Sequence, residues 1–215
     1  MHFLFYLLAI WIWERWYFGG SISVATPFKK STFRRRTRHL LVLNPSNFDA
    51  RVDLARDALE RRRYEEARSL LEPALAKAGD VAEVPRLHGD ALLGLGLFDK
   101  AALAYETALR IDPKDIESHL GAARAYFALG RNDDARREVE TYRETRPGDS
   151  RGSWAEAAIR AKVGGVEGRN AAGDALRTLV AEQRLKPGYA RRRDRKWAVK
   201  ARLALLAGQP PAKAW

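Results

Sequence analysis

The sequence contains no cysteine, a single methionine and four histidines among its 215 residues. A chain without cysteine forms no disulfide, has no thiolate nucleophile and cannot hold a Cys-ligated zinc or iron-sulfur centre, a composition typical of reducing compartments. The four histidines are scattered along the chain at positions 2, 39, 88 and 119. We therefore expect no metal site and no cofactor.

Catalytic motifs are equally scarce. Glycines occur in "GLGLFDK" and "VGGVEGRN", but neither segment has the spacing of a phosphate-binding loop or of a dinucleotide fingerprint. The carboxylate pairs Glu65–Glu66 and Asp133–Asp134 stand at the predicted start of helices, where acidic side chains stabilise the helix dipole. The sequence therefore predicts no catalytic residues. We expect neither an enzyme nor a protein that binds a small-molecule substrate.

Positive charge is concentrated at the two ends of a chain whose net charge is +12. Residues 1–50 carry 7 Lys or Arg against 2 Asp or Glu, and residues 151–215 carry 15 against 5. Residues 51–150 are close to neutral, with 17 against 20. Basic ends favour contact with a polyanion such as anionic lipid or nucleic acid, although arginines that only solubilise helix faces would give the same pattern.

The middle of the chain is a repeat. The segments "RRYEEARSLLEPALAKAG", "GLFDKAALAYETALRIDP" and "GRNDDARREVETYRETRP" place Ala67, Ala101 and Ala135 at a fixed interval of 34. A period of 34 with helical patterning is typical of stacked helix-turn-helix units. The stretch resembles the tetratricopeptide repeat (TPR) family. That resemblance implies an all-α fold, a helix-turn-helix repeat superhelix or solenoid, with three repeats over residues 48–149.

Individual positions fit this architecture. Small residues fall where paired helices cross closely, since a larger side chain would push the helices apart. They are Ala55, Gly89 and Ala123 in the first helices and Ala67, Ala101 and Ala135 in the second. Gly96 and Gly130 fit the turns within repeats, where a left-handed backbone favours glycine, and Pro113 and Pro147 end the second helices. The first repeat departs from the pattern with Arg62 at its turn. His88 and Asn132 also replace the apolar or aromatic residues usual at their positions.

The repeat register is lost after Pro147, and we expect residues 150–215 to form a degenerate fourth pair and a basic capping helix. Ser153 and Glu156 have the spacing of a capping box, which predicts a helix over 153–163. A loop over 164–170 and a second helix over 171–184 follow. The final helix carries Trp197, Ala201 and Leu205 on one stripe, with Val199, Leu203 and Leu206 beside it, and is predicted to cover the open end of the array.

The segment over residues 1–20, "MHFLFYLLAIWIWERWYFGG", is a predicted hydrophobic anchor. A helix over the uninterrupted apolar residues 3–13 would reach about half of the roughly 30 Å hydrocarbon layer. The segment therefore predicts a short span, a helix in the membrane interface, or an apolar segment folded onto the repeats. A cleaved signal peptide is disfavoured because no positive region precedes the apolar core. The predicted anchor residues are Phe3, Leu4, Phe5, Leu7, Leu8, Ile10, Trp11, Trp13, Trp16 and Tyr17.

Residues 21–47 are predicted to be a basic juxtamembrane linker and lead-in helix, with a short strand or a free linker as the competing interpretation. The basic patch of this segment comprises Arg34, Arg35, Arg36 and Arg38. Basic residues after an apolar segment indicate that the following chain stays in the cytoplasm. We therefore expect an inner or cytoplasmic membrane location with the repeats on the cytoplasmic side.

The family resemblance also implies a binding groove, because the first helices of successive repeats line a concave surface that holds a peptide. In the family, the fifth, ninth and twelfth positions of each first helix face this groove. In this sequence they are Val52, Arg56, Leu59, Arg86, Asp90, Leu93, Leu120, Arg124 and Phe127. The family's carboxylate clamp uses a lysine and asparagines, but Val52, Arg56 and Leu87 stand here instead, which does not support that ligand. The arginines either bind ligand carboxylates or pair with Asp49, Glu60, Glu83 or Glu117.

Two functions follow from these features. The first is a membrane-anchored adaptor that binds a protein or peptide partner in its groove. The second is a soluble or peripheral repeat protein that contacts nucleic acid or anionic lipid through the basic line of Arg192, Lys196 and Lys200. We favour the adaptor, because a soluble binding protein does not need an aromatic membrane anchor. We do not expect nucleic acid as the main partner.

Overall fold

The computed structural model describes residues 25–207, apart from the side chains of residues 25–31, 189 and 193. The described part is built of ten α-helices. They are α1 (Ala25–Leu43), α2 (Phe48–Glu60), α3 (Tyr64–Leu75), α4 (Glu83–Gly94), α5 (Phe98–Ile111), α6 (Ile116–Ala128), α7 (Asn132–Thr145), α8 (Ser150–Val163), α9 (Gly165–Leu185) and α10 (Gly188–Leu206). The predicted anchor residues lie outside the described part. None of the ten helices combines the length and the apolar composition needed to cross a bilayer.

The chain divides into two compact units, with the boundary between Leu54 and Ala55, inside α2. In the first unit, residues 25–43 are helical, as the lead-in interpretation expected, rather than a strand or a free linker. In α1, Leu40 and Leu43 are exposed and Leu41 is half-buried. The side chains of Arg35, Arg36 and Arg38 are exposed and that of Arg34 is half-buried.

The second unit stacks helix pairs in the predicted order, with α4 and α5, α6 and α7, and α8 and α9 packed as successive pairs. The small residues at the helix crossings are buried, as the sequence predicted. They are Ala55, Gly89 and Ala123 in the first helices and Ala67, Ala101 and Ala135 in the second. Leu71, Tyr105 and Val139 form the buried stripe of the second helices. The observed fold is therefore an all-α helix-turn-helix repeat solenoid.

The turns within the three repeats share one geometry. Gly96 and Gly130 have positive φ angles of 76° and 79°, and Arg62 holds the same place with φ 59°. In each turn, the residue after the one with positive φ donates its N–H to the carbonyl five positions earlier. The distance is 2.9 Å both from Arg63 to Ala58 and from Leu97 to Leu92. The hydrogen-bonded turn therefore forces a left-handed backbone even where the residue is not glycine.

The start of α8 differs from the prediction. The helix begins at Ser150 and not at Ser153, and its N-cap is Asp149, whose carboxylate accepts a hydrogen bond of 2.9 Å from the Arg151 N–H. The expected capping partner Glu156 instead forms ion pairs with Arg143 and Arg160. Asp149 is a favourable cap because its carboxylate accepts from a free N–H and places negative charge at the positive end of the helix dipole.

The predicted loop over 164–170 is wrong, because α9 begins at Gly165, two positions after α8 ends. The glycines of this segment allow the backbones of α8 and α9 to approach closely, and they do not form a flexible loop. The Gly168 N–H donates to the Gly164 carbonyl at 2.7 Å, and a Cβ on Gly168 would collide with the Arg160 carbonyl. The second helix of this pair therefore extends over 21 residues, from 165 to 185.

The last helix, α10, packs on α8 and α9 through one stripe only. Trp197 and Ala201 are buried in a cluster with Trp154, Leu176 and Leu179. The side chains predicted to lie beside this stripe are largely exposed, namely Val199, Leu203 and Leu206. A helix that ends a stack has one neighbour instead of two, so it buries a single face.

Candidate peptide-binding surface

The nine residues predicted to line the groove are called the groove face here. They lie on the first helices α2, α4 and α6, at the repeated fifth, ninth and twelfth positions. The same repeat interval continues into α8, where Trp154, Ala158 and Ala161 hold the same positions. The first helix of the fourth pair therefore keeps the repeat register, although its sequence had appeared out of register. Trp154 and Ala158 are buried, so they add no accessible surface to the groove face.

The apolar members of the groove face differ in accessibility. Val52, Leu120 and Phe127 are buried, with 6–7% of their surface exposed, and contribute mainly to the core. Leu59 and Leu93 are half-buried, so these two remain available for contact with a ligand. At the twelfth helix position, Leu59 and Leu93 are therefore accessible to a ligand, whereas Phe127 is largely closed off.

Arg86 is held by three carboxylates. Its guanidinium lies 3.5 Å from Glu83, 3.6 Å from Asp90 and 3.3 Å from Asp115. Asp115 belongs to the segment before α6, so this arginine ties two consecutive repeats together. Arg86 thus has the structural role that was one of the two interpretations of the groove arginines.

Arg56 is also paired. Its guanidinium donates a hydrogen bond of 2.8 Å to the Glu83 carboxylate, which belongs to the next repeat. Both side chains are substantially exposed, and such a pair contributes at most about 1 kcal/mol to stability. A ligand carboxylate can compete for Arg56 at little cost.

Asp90 has a buried partner. The Tyr105 hydroxyl donates a hydrogen bond of 2.7 Å to its carboxylate, and the Tyr105 ring is fully buried. Burial raises the pKa of Asp90, while the Tyr105 hydrogen bond and the charges of Arg86 and Arg124 act in the opposite direction. The same burial, with the Asp90 charge, raises the pKa of the Tyr105 hydroxyl, so Tyr105 is a permanent donor.

Arg124 differs from the other two groove arginines. Within residues 25–207 no carboxylate oxygen lies within the 4.0 Å ion-pair distance of its guanidinium. Glu117, one of its predicted partners, is bound instead by Arg151 at 2.8 Å and 3.0 Å and by Arg146 at 3.3 Å. Glu117 is therefore occupied by Arg146 of its own repeat and Arg151 of the next. Arg124 is left without an acidic partner in the described part of the protein.

The basic line of the last helix reaches the fourth pair. The Lys200 ammonium lies 4.6 Å from the ring centre of Trp197 and 5.8 Å from that of Trp154, and the Lys196 ammonium lies 5.2 Å from Trp197. The two indole rings are 5.9 Å apart. Desolvation, together with the charges of Lys196 and Arg124, lowers the pKa of Lys200. Arg192, the third member of the line, is exposed.

One cation beside the groove face was not predicted. Lys162 of α8 donates a hydrogen bond of 2.9 Å to the Phe127 carbonyl, and its ammonium lies 4.4 Å above the Phe127 ring. The signal was present in the sequence, because Lys162 directly follows the twelfth position of the fourth pair. It could have been found by continuing the repeat interval past Pro147.

A cavity of about 540 Å³ lies between α7, α8 and α9, away from the residues of the groove face. Apolar side chains line part of it, including Val139 and Ile159. Its arginines already have acidic partners, since Arg143 and Arg160 pair with Glu156 and Arg136 pairs with Asp133. The cavity therefore offers no cation comparable to Arg124.

Comparison with known proteins identifies the repeat. Two family models described as tetratricopeptide repeat match residues 52–116 and 92–159, which together cover about half of the chain. No curated protein sequence matches this chain significantly.

Solved structures share the fold at low sequence identity. The crystal structure of MamA is 14% identical, with 86% of this chain and 98% of that chain covered and a TM-score of 0.60. TTC0263, a thermophilic TPR protein from Thermus thermophilus, is 18% identical, with coverages of 80% and 89% and a TM-score of 0.64. YrrB, a TPR protein with an unusual peptide-binding site, is 16% identical, with coverages of 82% and 93% and a TM-score of 0.56. These structures share the fold, and the two family models that match residues 52–159 show that the chain belongs to the tetratricopeptide repeat family.

Proposed function

We propose that this protein is a membrane-anchored adaptor that binds a peptide segment of a partner protein on its groove face, with the repeats on the cytoplasmic side of the membrane. TPR proteins act in protein-protein interaction and peptide binding. The observation that carries the proposal for this chain is that Arg124 on the groove face has no acidic partner within the described residues. The proposed role requires no catalytic group, cofactor or small-molecule substrate.

The groove face supports peptide binding by its mixture of side chains. Leu59 and Leu93 are half-buried, so a ligand that covers them removes apolar surface from water without unfolding the repeats. Exposed Arg56 and half-buried Arg124 supply forked donors for polar groups of the same ligand. The structural neighbour YrrB, described as having an unusual peptide-binding site, supports the same role for this fold.

Membrane anchoring is supported by the sequence of residues 1–38. The apolar residues 3–13 precede Trp16 and Tyr17, and the basic patch from Arg34 to Arg38 follows them. Tryptophan and tyrosine favour the lipid headgroup region, and basic residues favour the cytoplasmic side. Extraction of cell membranes with alkaline carbonate tests this part of the proposal. Full-length protein that stays with the membrane supports the anchor, and protein released to the supernatant contradicts it.

Site-specific photocrosslinking in cells tests the peptide groove. A benzophenone amino acid replaces Leu93 on the groove face in one variant and Leu103 in another. Leu103 is a suitable control because it is 61% exposed and lies on α5, a second helix. We expect a protein adduct from position 93 that is absent or much weaker at position 103. Equal adducts at the two positions, or none at 93, would contradict partner binding on the groove face.

The second candidate is a peripheral repeat protein that contacts nucleic acid or anionic lipid through α10. The exposed Arg192 and the neighbouring Lys196 favour it. Against it, Trp154 and Trp197 are 6% and 7% exposed, so neither ring provides a platform for stacking bases. Binding through these cations alone would be nonspecific and would weaken steeply with salt.

A further inference from the structure

We propose that the exposed face of α10 binds the surface of an anionic lipid bilayer. This inference rests on the membrane part of the proposed function and adds a second contact with lipid, separate from the predicted anchor over residues 1–20. It also decides between lipid and nucleic acid, which the cations of this helix by themselves left open.

The first argument is an apolar stripe that the neighbouring helices leave uncovered. Val199, Leu203 and Leu206 are 45%, 60% and 85% exposed. Their spacing of four and three residues places them on one face of the helix, because an α-helix has 3.6 residues per turn. Trp197 and Ala201 lie on the opposite face, where they pack against α8 and α9. The stripe therefore faces away from the two helices that hold α10 in place.

The second argument is that long cationic side chains stand on both sides of this stripe. Arg195 and Arg202, seven positions apart, follow one edge of it. Lys196 and Lys200, four positions apart, follow the other edge. All four are exposed, and so is Arg192, which precedes the stripe on the same face. The stripe and these five cations are called the outer face of α10 here.

This pattern is typical of a helix that lies in a membrane interface. The apolar side chains of such a helix enter the boundary between headgroups and acyl chains. The aliphatic stems of the flanking lysines and arginines contact lipid, while their charged ends reach the headgroups. The outer face of α10 has both parts in the required order around the helix.

The third argument is that the protein provides no counter-charge for these cations. Residues 188–206 contain seven Lys or Arg and one acidic residue, Asp194. Asp194 is buried and binds Lys186, so it does not reach the outer face. None of the five cations of the outer face has a carboxylate oxygen within 4.0 Å among the described residues. Anionic headgroups attract basic residues close to the bilayer, so a membrane supplies the missing negative charge.

The composition of the outer face favours lipid over other occupants. A second copy of the chain is disfavoured, because two such faces would bring cations against cations. A nucleic acid would bind the cations and leave the apolar stripe in water, and Trp197 is buried, so its ring cannot stack on bases. A bilayer surface matches both the stripe and the charges.

Fluorescence of a single label tests the proposal on the full-length protein reconstituted into vesicles. The chain has no cysteine, so Leu203→Cys provides one attachment site for a fluorophore on the outer face. Leu103→Cys on α5 is the matched control, because Leu103 is 61% exposed and Leu203 is 60% exposed. The vesicles consist of phosphatidylcholine with or without about 30% phosphatidylglycerol. They also contain a lipid that carries a nitroxide quencher just below its headgroup.

The expected result is quenching at position 203 that depends on anionic lipid. In vesicles with phosphatidylglycerol, the label at 203 should be quenched about threefold more strongly than the label at 103, because only the outer face enters the interface. In vesicles of phosphatidylcholine alone, the two labels should be quenched alike. Equal quenching of the two labels in anionic vesicles, or the same quenching at 203 in both kinds of vesicle, would overturn the proposal.

A pair of charge variants separates a binding face from overall charge. Arg195→Gln/Arg202→Gln, combined with the label at 203, should reduce the quenching to the level of the control label. Lys100→Gln/Arg110→Gln removes the same two charges from exposed positions on α5 and should leave the quenching unchanged. Circular dichroism checks that both variants remain folded. Equal losses in the two variants would reduce the effect to net charge and overturn the proposal.

A variant of the stripe tests the apolar part of the contact. Val199→Gln/Leu206→Gln keeps every charge and removes two of the three apolar side chains. The quenching at 203 should fall to the level of the control label, because the cations alone hold the helix above the headgroups. Unchanged quenching would show that the stripe does not enter the interface.

The remaining outcomes distinguish this inference from the proposed function. Release of the protein by alkaline carbonate, together with quenching at 203, would remove the predicted anchor and keep the outer face as a lipid contact. Retention in the membrane without quenching at 203 would keep the anchor and remove this inference. Quenching at 203 that a single-stranded DNA oligonucleotide abolishes at a concentration below that of phosphatidylglycerol would assign the outer face to nucleic acid instead.

Discussion

The Tyr105 ring is packed against Gly121 of the following repeat, so closely that a Cβ atom on Gly121 would overlap with it. The same ring approaches Gly89 on the other side, where a Cβ would lie 2.8 Å from Tyr105 Cε1. Its hydroxyl donates to Asp90, so one side chain fixes the spacing of α4, α5 and α6. Small residues on two first helices thus make room for one large residue on a second helix.

This contact predicts the effect of Gly121→Ala. The added methyl group must displace the fully buried Tyr105 ring, and overpacking of this kind costs about 1–3 kcal/mol of unfolding free energy. Gly173→Ala in α9 is the matched control, because its nearest neighbour, Arg177, lies 3.7 Å away. The control should be neutral or stabilising by up to about 1 kcal/mol through helix propensity. Urea unfolding followed by circular dichroism measures both, and equal effects would refute the packing argument.

The turn of the first repeat predicts a stabilising substitution. Arg62 has a φ of 59°, a conformation that costs a non-glycine residue about 1 kcal/mol. Arg62→Gly should therefore raise the unfolding free energy by up to about 1 kcal/mol, less the added entropy of the unfolded chain. Gly96→Ala, at the matching turn with φ 76°, should lower it by a similar amount. Thermal unfolding of the two variants should shift in opposite directions.

His119 predicts a pH dependence of stability. Its Nδ1 lies 2.6 Å from a Glu138 carboxylate oxygen and its Nε2 lies 3.0 Å from the Pro113 carbonyl, so the protonated ring donates to both. The Glu138 hydrogen bond raises the pKa of His119 in the folded protein. Its contribution is therefore present in full below the unfolded pKa of about 6.5 and is lost as pH rises through the folded pKa.

The measurement for His119 compares wild type with His119→Gln. The stability lost by the variant should be larger at pH 5.5 than at pH 8.5, because only the protonated ring makes both hydrogen bonds as donor. Urea unfolding at the two pH values gives the difference. A loss that is the same at both pH values would show that folding does not shift the pKa of His119, which contradicts the prediction.

His88 predicts the opposite trend. Its Nε2 atom is buried without a hydrogen-bond partner among the described residues, and this burial lowers the pKa of His88. Stability should therefore fall as pH drops below the unfolded pKa of about 6.5, because protonation favours the unfolded chain. His88→Leu should be more stable than wild type, with a larger gain at pH 5.5 than at pH 7.5. An equal gain at both values would show that packing alone is responsible.

A buried polar cluster between α8, α9 and α10 predicts how the last helix is held. The Lys186 ammonium lies 2.8 Å from the Asp194 carboxylate and 3.1 Å from the Ser150 hydroxyl, and Asp194 is buried. Removing one partner of a buried ion pair costs about 3–5 kcal/mol, so Lys186→Met should be strongly destabilising. The double variant Lys186→Met/Asp194→Leu should recover much of that loss. Limited proteolysis should cut α10 faster in the single variant only.

The repeat could be predicted because its signals are local. A turn between two helices depends on one residue with a left-handed backbone conformation, and a helix crossing depends on one small residue. Both signals therefore recur once in every repeat. The same reasoning missed the register of the fourth pair, where Trp154 continues the interval although the surrounding sequence does not resemble the earlier repeats. The glycines at 164 and 168 were assigned to a loop because flexible loops and close backbone contacts are both rich in glycine, so the sequence does not distinguish them.

The sequence by itself determined the helical pairs, the turns at Gly96 and Gly130 and the candidate groove positions, because each follows from the period of a short stretch of chain. Only the tertiary structure decided that Arg56 and Arg86 are paired and that Arg124 has no acidic partner among the described residues. It also decided that Lys200 stands over Trp154, 46 positions earlier. Ion pairs form between side chains of different helices, so their partners depend on how those helices are rotated and stacked.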